Sequence, residues 1–184
     1  MMNATAESFG ETHDVAITIL VDNRTDMAKS TDTVKYFADK PLLAEHGFAA
    51  LVELKAAGKR ILLDTGTTGI PLRHNAHCMG VDLTSLDALV LSHGHGDHTG
   101  AVKELIEAMD LHPQPRRWPA ESTIAEIQQY AAGRRVPVIV HPAAFRERWR
   151  INDDGTRRGP LMPPRVAWEA AGADMVVTEP RKTP

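Results

Sequence analysis

The sequence predicts an α/β layered fold, in which helices pack against a central β-sheet. Short apolar runs rich in β-branched residues alternate along the chain with segments whose apolar residues recur at helical spacing. Several of the short runs end in polar, glycine-rich turns. Because ligands of α/β proteins bind beside the carboxyl ends of strands, the same pattern predicts that the chemistry lies in those turns.

The strands are predicted from short apolar runs bounded by turn residues. Two runs separated by a glycine-containing turn at 55–59 predict a β-hairpin. A later run, LDALVL, leads directly into a histidine-rich loop, and the run VPVIV precedes a His-Pro pair. The predicted strands are 15–21, 48–54, 60–63, 86–91, 136–140 and 175–178.

The helices are predicted from helical spacing and from glycine stop signals. Apolar residues at 101, 102, 105, 106 and 109 share one helical face, and glycines at 80, 133 and 172 end the other three segments. The predicted helices are 70–79, 101–109, 123–132 and 165–171. The segments 22–45, 111–119 and 146–164 are predicted to be rich in loops.

The composition is typical of one globular domain. The chain has 184 residues, of which 42% are hydrophobic, and its net charge of −3 argues against a general nucleic-acid partner. No apolar run approaches the roughly 20 residues that a membrane helix needs. The single cysteine, Cys78, precludes an internal disulfide and favours the cytoplasm. We expect residues 1–14 to be a flexible leader and residues 15–184 to form one domain.

The segment 93–98, HGHGDH, gives the strongest chemical signal. Three imidazoles and one carboxylate within six residues suit divalent metals such as zinc, manganese or iron. In an extended turn, His93 and His95 project to the same side and can hold one ion. Asp97 and His98 enter the following helix and can hold a second ion. A histidine-rich surface turn is the alternative interpretation.

The string LSHGHGDHTG resembles the HxHxDH motif of the metallo-β-lactamase superfamily. Further segments are similar to one branch of it, the 7,8-dihydropterin-6-methyl-4-(β-D-ribofuranosyl)aminobenzene-5′-phosphate synthase-like proteins. These segments are ILVDN at 19–23, LLAEHGFAALVE at 42–53 with ILLDTG at 61–66, and the run 72–102. The resemblance implies an αββα sandwich with a dinuclear site for divalent metals at one edge. Zinc is the expected metal, as one or two ions, with manganese and iron as alternatives.

The resemblance also implies the roles of individual residues. A further histidine at the end of a later strand completes the ligands of the first metal, and His141 occupies that place; a loop histidine beside a proline is the alternative. Asp64 of the DTG turn is expected to orient the ligands by hydrogen bonding, with turn capping as its other role. Asp97 is the expected catalytic residue, which orients the nucleophile or accepts its proton. The implied metal ligands are His93, His95, Asp97, His98 and His141.

The C-terminal part departs from the family pattern. No histidine follows His141, whereas the family supplies further metal ligands in that part of the chain. We therefore expect a sandwich that is incomplete at its C-terminus and exposes one apolar sheet face. A homodimer is one means of covering that face.

Three functions follow from these observations. The first is a metal-dependent hydrolase-like enzyme, in which a metal-activated water attacks a phosphorylated or pterin-related small molecule. The second is a non-catalytic metal-binding remnant, or one half of a split assembly. The third is an iron-dependent redox protein of the same fold.

Other polar residues give weaker signals. His74 and His77 are three residues apart on a predicted helix, but they lack a nearby third ligand, so a surface role is the simpler interpretation. The segment 45–47, EHG, is similar to a feature of the branch near the site, and a polar loop accounts for it equally well. The alternating arginines of the segment 146–150 predict a charged, salt-bridged surface.

Overall fold

A computed structural model describes residues 11–25, 40–109, 111, 117–131 and 133–178. None of the helices within these residues is long and apolar enough to cross a membrane. The strands are β1 (Val15–Val21), β2 (Ala49–Leu54), β3 (Lys59–Leu63), β4 (Ala88–Leu91), β5 (Val136–Val140), β6 (Arg148–Ile151), β7 (Arg157–Leu161) and β8 (Ala173–Val177). The helices are α1 (Ile70–Met79), α2 (Gly96–Thr99), α3 (Val102–Ala108), α4 (Ile124–Ala131) and α5 (Arg165–Ala171), and 3₁₀ turns span Lys55–Ala57 and Pro142–Phe145.

Six strands form one mixed sheet in the order β1-β2-β3-β4-β5-β8. The strands β1, β2 and β3 pair antiparallel, whereas β3–β4, β4–β5 and β5–β8 pair parallel. Each parallel pair is joined by a crossover that contains at least one helix. Because parallel neighbours end at the same edge of a sheet, the chain leaves β3, β4 and β5 side by side.

One face of this sheet forms the hydrophobic core together with α1, α3 and α5. Four neighbouring strands each contribute an aliphatic residue that is at most 1% exposed, and these residues are paired in register across the sheet. Burying one such side chain contributes roughly 1.5–3 kcal/mol, so the row fixes the relative positions of the strand ends. The row consists of Leu51, Leu62, Leu89 and Val138, and the helices contribute Leu72, Val102, Ile106 and Trp168.

The opposite face of the sheet is apolar and partly exposed. Ile17 and Ile19 of β1 are 66% and 52% exposed, and Val176 of β8 is 41% exposed. In the described part of the chain, the second sheet has two strands, β6 and β7. The α/β class and the exposed apolar sheet face are therefore confirmed, and the homodimer remains a prediction.

The predicted bounds of β1, β5, α1 and α5 agree with the structure, and most others differ by a few residues. The segment 146–164 is the exception, because it contains the hairpin β6–β7 within a predicted loop region. These strands are short and almost wholly exposed, and β7 contains a Gly-Pro pair, which usually interrupts strands. Parts of the predicted leader and of the loops 22–45 and 111–119 lie outside the described residues.

The loop that leads into β4 is organised by Asp82. Its carboxylate accepts hydrogen bonds from the backbone N–H and the hydroxyl of Thr84, at 2.8 and 2.7 Å, and from the hydroxyl of Ser85 at 2.7 Å. The hydrogen bond from Ser85 and those from Thr84 lower the pKa of Asp82 to about 2.

We predict that the contribution of Asp82 to stability is present at neutral pH and lost in acid. A carboxyl group whose pKa is lower in the folded chain than its unfolded value of 3.8 stabilises the fold above that value, and the contribution disappears as the pH falls toward about 2. Urea unfolding of Asp82→Asn should give a free energy of unfolding about 0.5–1 kcal/mol below wild type at neutral pH, a small effect because solvent screens the group.

The matched control is Asp153→Asn, on the exposed β6–β7 turn, for which the described residues offer no hydrogen bond. This variant should match the wild-type free energy of unfolding at neutral pH. A deficit of Asp82→Asn that stays constant from neutral pH down to about pH 3 would contradict the prediction.

Candidate metal centre

Three neighbouring strands deliver the chain to one edge of the sheet. In register, Leu63 of β3 pairs with Val90 of β4, and Leu91 of β4 pairs with Val140 of β5. The residues that follow these strands therefore leave the sheet side by side, as expected for a ligand site of an α/β protein. They are Asp64 after β3, Ser92 and His93 after β4, and His141 after β5.

The histidine-rich loop turns directly into the short helix α2. The carbonyl of His95 accepts the backbone N–H groups of His98 and Thr99, both at 3.1 Å. This turn returns the chain so that the side chain of His98 faces His93, with ring centroids 4.2 Å apart. Gly94 is required within the loop because the carbonyl of Ala144 occupies the space that a Cβ would need.

Three of the predicted metal ligands lie together. His93, Asp97 and His98 each offer one ligand atom, and these atoms lie within 4.8 Å of one another. His95 is adjacent, since its Nδ1 lies 3.0 Å from Nε2 of His93. The compact group thus places His93 with Asp97 and His98. The predicted division, in which His93 and His95 hold one ion and Asp97 and His98 hold a second, remains a prediction.

His141 leaves the same sheet edge but makes a different contact. Its Nδ1 accepts the backbone N–H of Ala143 at 3.1 Å and thereby caps the 3₁₀ turn Pro142–Phe145. Among the described residues, the compact group consists of His93, Asp97 and His98 and does not include His141. Its role as a ligand remains a prediction.

Asp64 positions two of the histidines through hydrogen bonds. Its Oδ1 accepts the backbone N–H of Ser92 at 2.8 Å, and its Oδ2 accepts the Ser92 hydroxyl at 2.6 Å and Nδ1–H of His98 at 2.8 Å. Because the Ser92 hydroxyl proton points to Asp64, its oxygen is free to accept Nδ1–H of His93 at 2.9 Å. Both imidazoles therefore carry their proton on Nδ1 and present Nε2 as an acceptor, which in His93 faces Nδ1 of His95.

The surroundings of His93 favour its neutral form. Burial lowers the pKa of His93 below its usual value, and the neighbouring His98 and His95 lower it further, against the opposite effect of Asp64 and Asp97. Neutral imidazole is the form that binds a metal ion, so this environment favours metal binding at neutral pH.

The segment 45–47 borders the centre, a position that sequence reasoning left open. Nε2 of His46 lies 3.2 Å from Oδ2 of Asp97, and its Nδ1 lies 3.2 Å from Oδ1 of Asn23. The Glu45 carboxylate accepts backbone hydrogen bonds from the turn that follows β3. These contacts connect the loop before β2 to both the DTG turn and Asp97. The similarity to the branch was the available signal, and nothing in the segment itself distinguished it from a polar loop.

We predict that Asp64→Asn lowers metal affinity about 10- to 100-fold, the usual effect of removing a hydrogen-bond partner of a ligand. The amide keeps the volume of the carboxylate, but its NH₂ group cannot accept the protons of Ser92 and His98. Titration of zinc into chelator-treated protein measures the affinity. Asp87→Asn is the matched control, because Asp87 bonds Lys59 and the backbone of Arg60 at the other end of β4. Equal affinities of the two variants would contradict the role of Asp64.

We also predict that His95→Ala removes most of the bound metal, whereas His77→Ala leaves it intact. His77 lies in the last turn of α1 and is exposed, so His77→Ala shows what the loss of a histidine outside the centre does to the metal content. Atomic absorption on both purified variants measures the metal content per chain. An equal loss of metal in the two proteins would overturn the choice of ligands.

Comparison with known proteins gives three informative relatives. The 7,8-dihydropterin-6-methyl-4-(beta-D-ribofuranosyl)-aminobenzene-5′-phosphate synthase of Methanocaldococcus jannaschii is 33% identical over 101 residues, 52% of this chain and 34% of that protein. An uncharacterized protein of the same organism is 41% identical over 91 residues, 50% of this chain and 29% of that protein. A metal-dependent hydrolase of Bacillus cereus is 42% identical over 60 residues, 33% of this chain and 24% of that protein.

The matches to these relatives thus span at most 34% of a relative's length. The family model of the metallo-beta-lactamase superfamily matches residues 44–166. That range contains the histidine-rich loop, the DTG turn and His141. The chain belongs to the metallo-beta-lactamase superfamily.

Proposed function

We propose that the chain is a metal-dependent hydrolase that acts on a small molecule at the carboxyl edge of its sheet. The observation that carries this proposal is the group of His93, Asp97 and His98, whose ligand atoms lie within 4.8 Å of one another. The hydrogen bonds from Asp64, which orient both imidazoles, add to it. The Bacillus cereus relative, named a metal-dependent hydrolase, supports the reaction class.

The residues present fit a divalent metal. Imidazole nitrogens and carboxylate oxygens are ligands of zinc, manganese and iron. Nε2 is the unprotonated nitrogen of His93 and His98 because Ser92 and Asp64 accept the Nδ1 protons, and a metal would replace the contact between Nε2 of His93 and His95. We propose zinc as the metal, as one or two ions held by His93, His95, Asp97, His98 and His141.

Asp97 is the residue that we propose handles the proton. A divalent metal, when bound, lowers the pKa of water from about 15.7 to about 7 and polarises the group under attack. Oδ2 of Asp97 lies 3.4 Å from Nε2 of His98 and 3.2 Å from Nε2 of His46, and Asp97 also lines the cavity beside the centre. A carboxylate in this position orients the nucleophile or accepts its proton, which typically contributes about 10²–10⁴-fold in rate.

The substrate in this proposal is a phosphorylated or pterin-related small molecule. The name of the Methanocaldococcus jannaschii relative, a synthase of a dihydropterin phosphate compound, supports that chemistry. A cytoplasmic location is part of the same proposal.

We predict metal-dependent turnover of a phosphomonoester, a phosphodiester or a lactam. Dialysis against a chelator should abolish turnover, and zinc, manganese or ferrous ion should restore it. With metal in excess, Asp97→Asn should lose about 10²–10⁴-fold in kcat. Asp153→Asn, on the exposed β6–β7 turn, should keep the wild-type rate.

Metal analysis alongside these assays separates the alternatives. One tightly held ion per chain without turnover of any substrate would contradict the hydrolase and favour a non-catalytic metal-binding protein. Reconstitution by ferrous ion alone, with an optical spectrum that changes on oxidation, would favour the iron-dependent redox protein.

A further inference from the structure

A large cavity opens beside the metal centre. Its volume is about 890 Å³, within the usual range of roughly 300–1,000 Å³ for small-molecule sites. His95 and Asp97 line it together with residues of the hairpin β6–β7 and the segment 162–164. A molecule that fills the cavity would therefore contact both the hairpin and the centre.

The hairpin is fixed to the metal-binding loop by Arg148. Its Nη1–H donates to the carbonyl of Gly94 at 3.0 Å, and its Nη2–H donates to the carbonyl of Ala143 at 3.4 Å. Both acceptors are neutral, so these bonds position the guanidinium, and no carboxylate among the described residues pairs with it. The cavity wall is thus held in place against the loop that carries the predicted ligands.

The charged groups of the cavity divide into paired and unpaired ones. Glu104 is bonded to Arg73 at 2.7 Å, and Lys103 is bonded to Glu107 at 2.9 Å. Arg150 lines the cavity and has no carboxylate partner among the described residues. Its planar guanidinium matches the geometry of phosphate and carboxylate groups.

The hairpin side of the cavity also exposes large apolar groups. Trp149 is 51% exposed, and Leu161 and Met162 are 44% and 46% exposed. Three such groups on one concave wall form a surface suited to an apolar partner. The indole offers a flat face against which an aromatic ring can stack.

From these observations we infer that the cavity takes an aromatic small molecule with an anionic group, whose anion binds Arg150 and whose ring packs on Trp149. The inference rests on the proposed function, because it names the substrate class of the same centre. It makes the hairpin β6–β7 the element that determines specificity. The contacts at Arg150 and Trp149 do not depend on a bound metal.

Binding of ligands without a scissile bond tests this inference on the full chain, both as purified and after dialysis against EDTA. The probes are 1-naphthylmethylphosphonate, 1-naphthylacetate, 1-naphthalenemethanol and methylphosphonate, measured by isothermal titration calorimetry. Within each metal state, the naphthyl anions should bind at least about tenfold more tightly than the neutral alcohol or methylphosphonate. A preference for phosphonate or for carboxylate identifies the anion, and either preference supports the inference.

The variants Arg150→Gln and Trp149→Ala should each weaken binding of the preferred naphthyl anion about tenfold. Arg158→Gln is the matched control, because Arg158 pairs with Arg150 across the hairpin but does not line the cavity. Arg150 and Arg158 are exposed, so both variants should keep the wild-type Tm.

Equal weakening by Arg150→Gln and Arg158→Gln, or equal affinity for the alcohol and the anions, would overturn the inference. Failure of the inference is distinguishable from failure of the proposed function. Naphthyl anions bound through Arg150 without turnover of any phosphoester or lactam would refute the hydrolase alone. Metal-dependent turnover with no effect of Arg150→Gln on binding would refute the assignment of the cavity alone.

Discussion

The candidate metal centre depends on the hydrogen bonds of one buried carboxylate, that of Asp64. A buried charge is costly unless hydrogen bonds satisfy it, and here Ser92 and His98 supply three. These bonds connect the end of β3 to the end of β4 and to α2. Asp64 also has a φ of 56°, a left-handed conformation that costs a non-glycine residue about 1–3 kcal/mol. The three hydrogen bonds form in this backbone conformation, and the stabilisation that they contribute offsets the strain.

The loop that begins with Ser92 is also held by contacts of its backbone with neighbouring segments. On one side, Gly47 accommodates the backbone carbonyl of Asp97 where any larger residue would collide with it. On the other side, Arg148 bonds the carbonyl of Gly94. The backbone of Thr65 also donates to the carbonyl of His98 at 2.8 Å. The side chains of the predicted ligands are therefore arranged by the surrounding fold, which would reduce the ordering that a metal must impose.

Sequence reasoning predicted the sheet and the main helices because their signals are local. β-Branched runs such as Val136–Val140 are buried in the sheet, and Gly80 adopts the left-handed conformation that ends α1. The residues of the compact group, His93, Asp97 and His98, all lie in one contiguous motif, so the sequence pointed to all three; that they bind a metal remains a prediction. The contact of His46 with Asp97 could not be predicted in the same way, because it joins positions 51 residues apart through a loop without periodicity. The prediction of a loop at 146–164 was wrong, because the hairpin β6–β7 lies there. Its strands are exposed on both faces, so their sequence does not show the alternation of apolar and polar residues that identifies a half-buried strand.

The arginines of the hairpin illustrate why spacing alone cannot assign a charged group. Their alternation predicts a salt-bridged face, but Arg148 bonds two backbone carbonyls and Arg150 lines the cavity without a carboxylate partner among the described residues. Of the two carboxylates that line the cavity, Glu104 is paired with Arg73, whereas Asp97, one of the predicted ligands, has no Arg or Lys partner among the described residues. Without a metal, its negative charge opposes an anionic ligand; a bound divalent ion reverses the sign of the field on that side. The physical consequence is reciprocal coupling: a metal that strengthens binding of an anion in the cavity is itself bound more tightly when the anion is present.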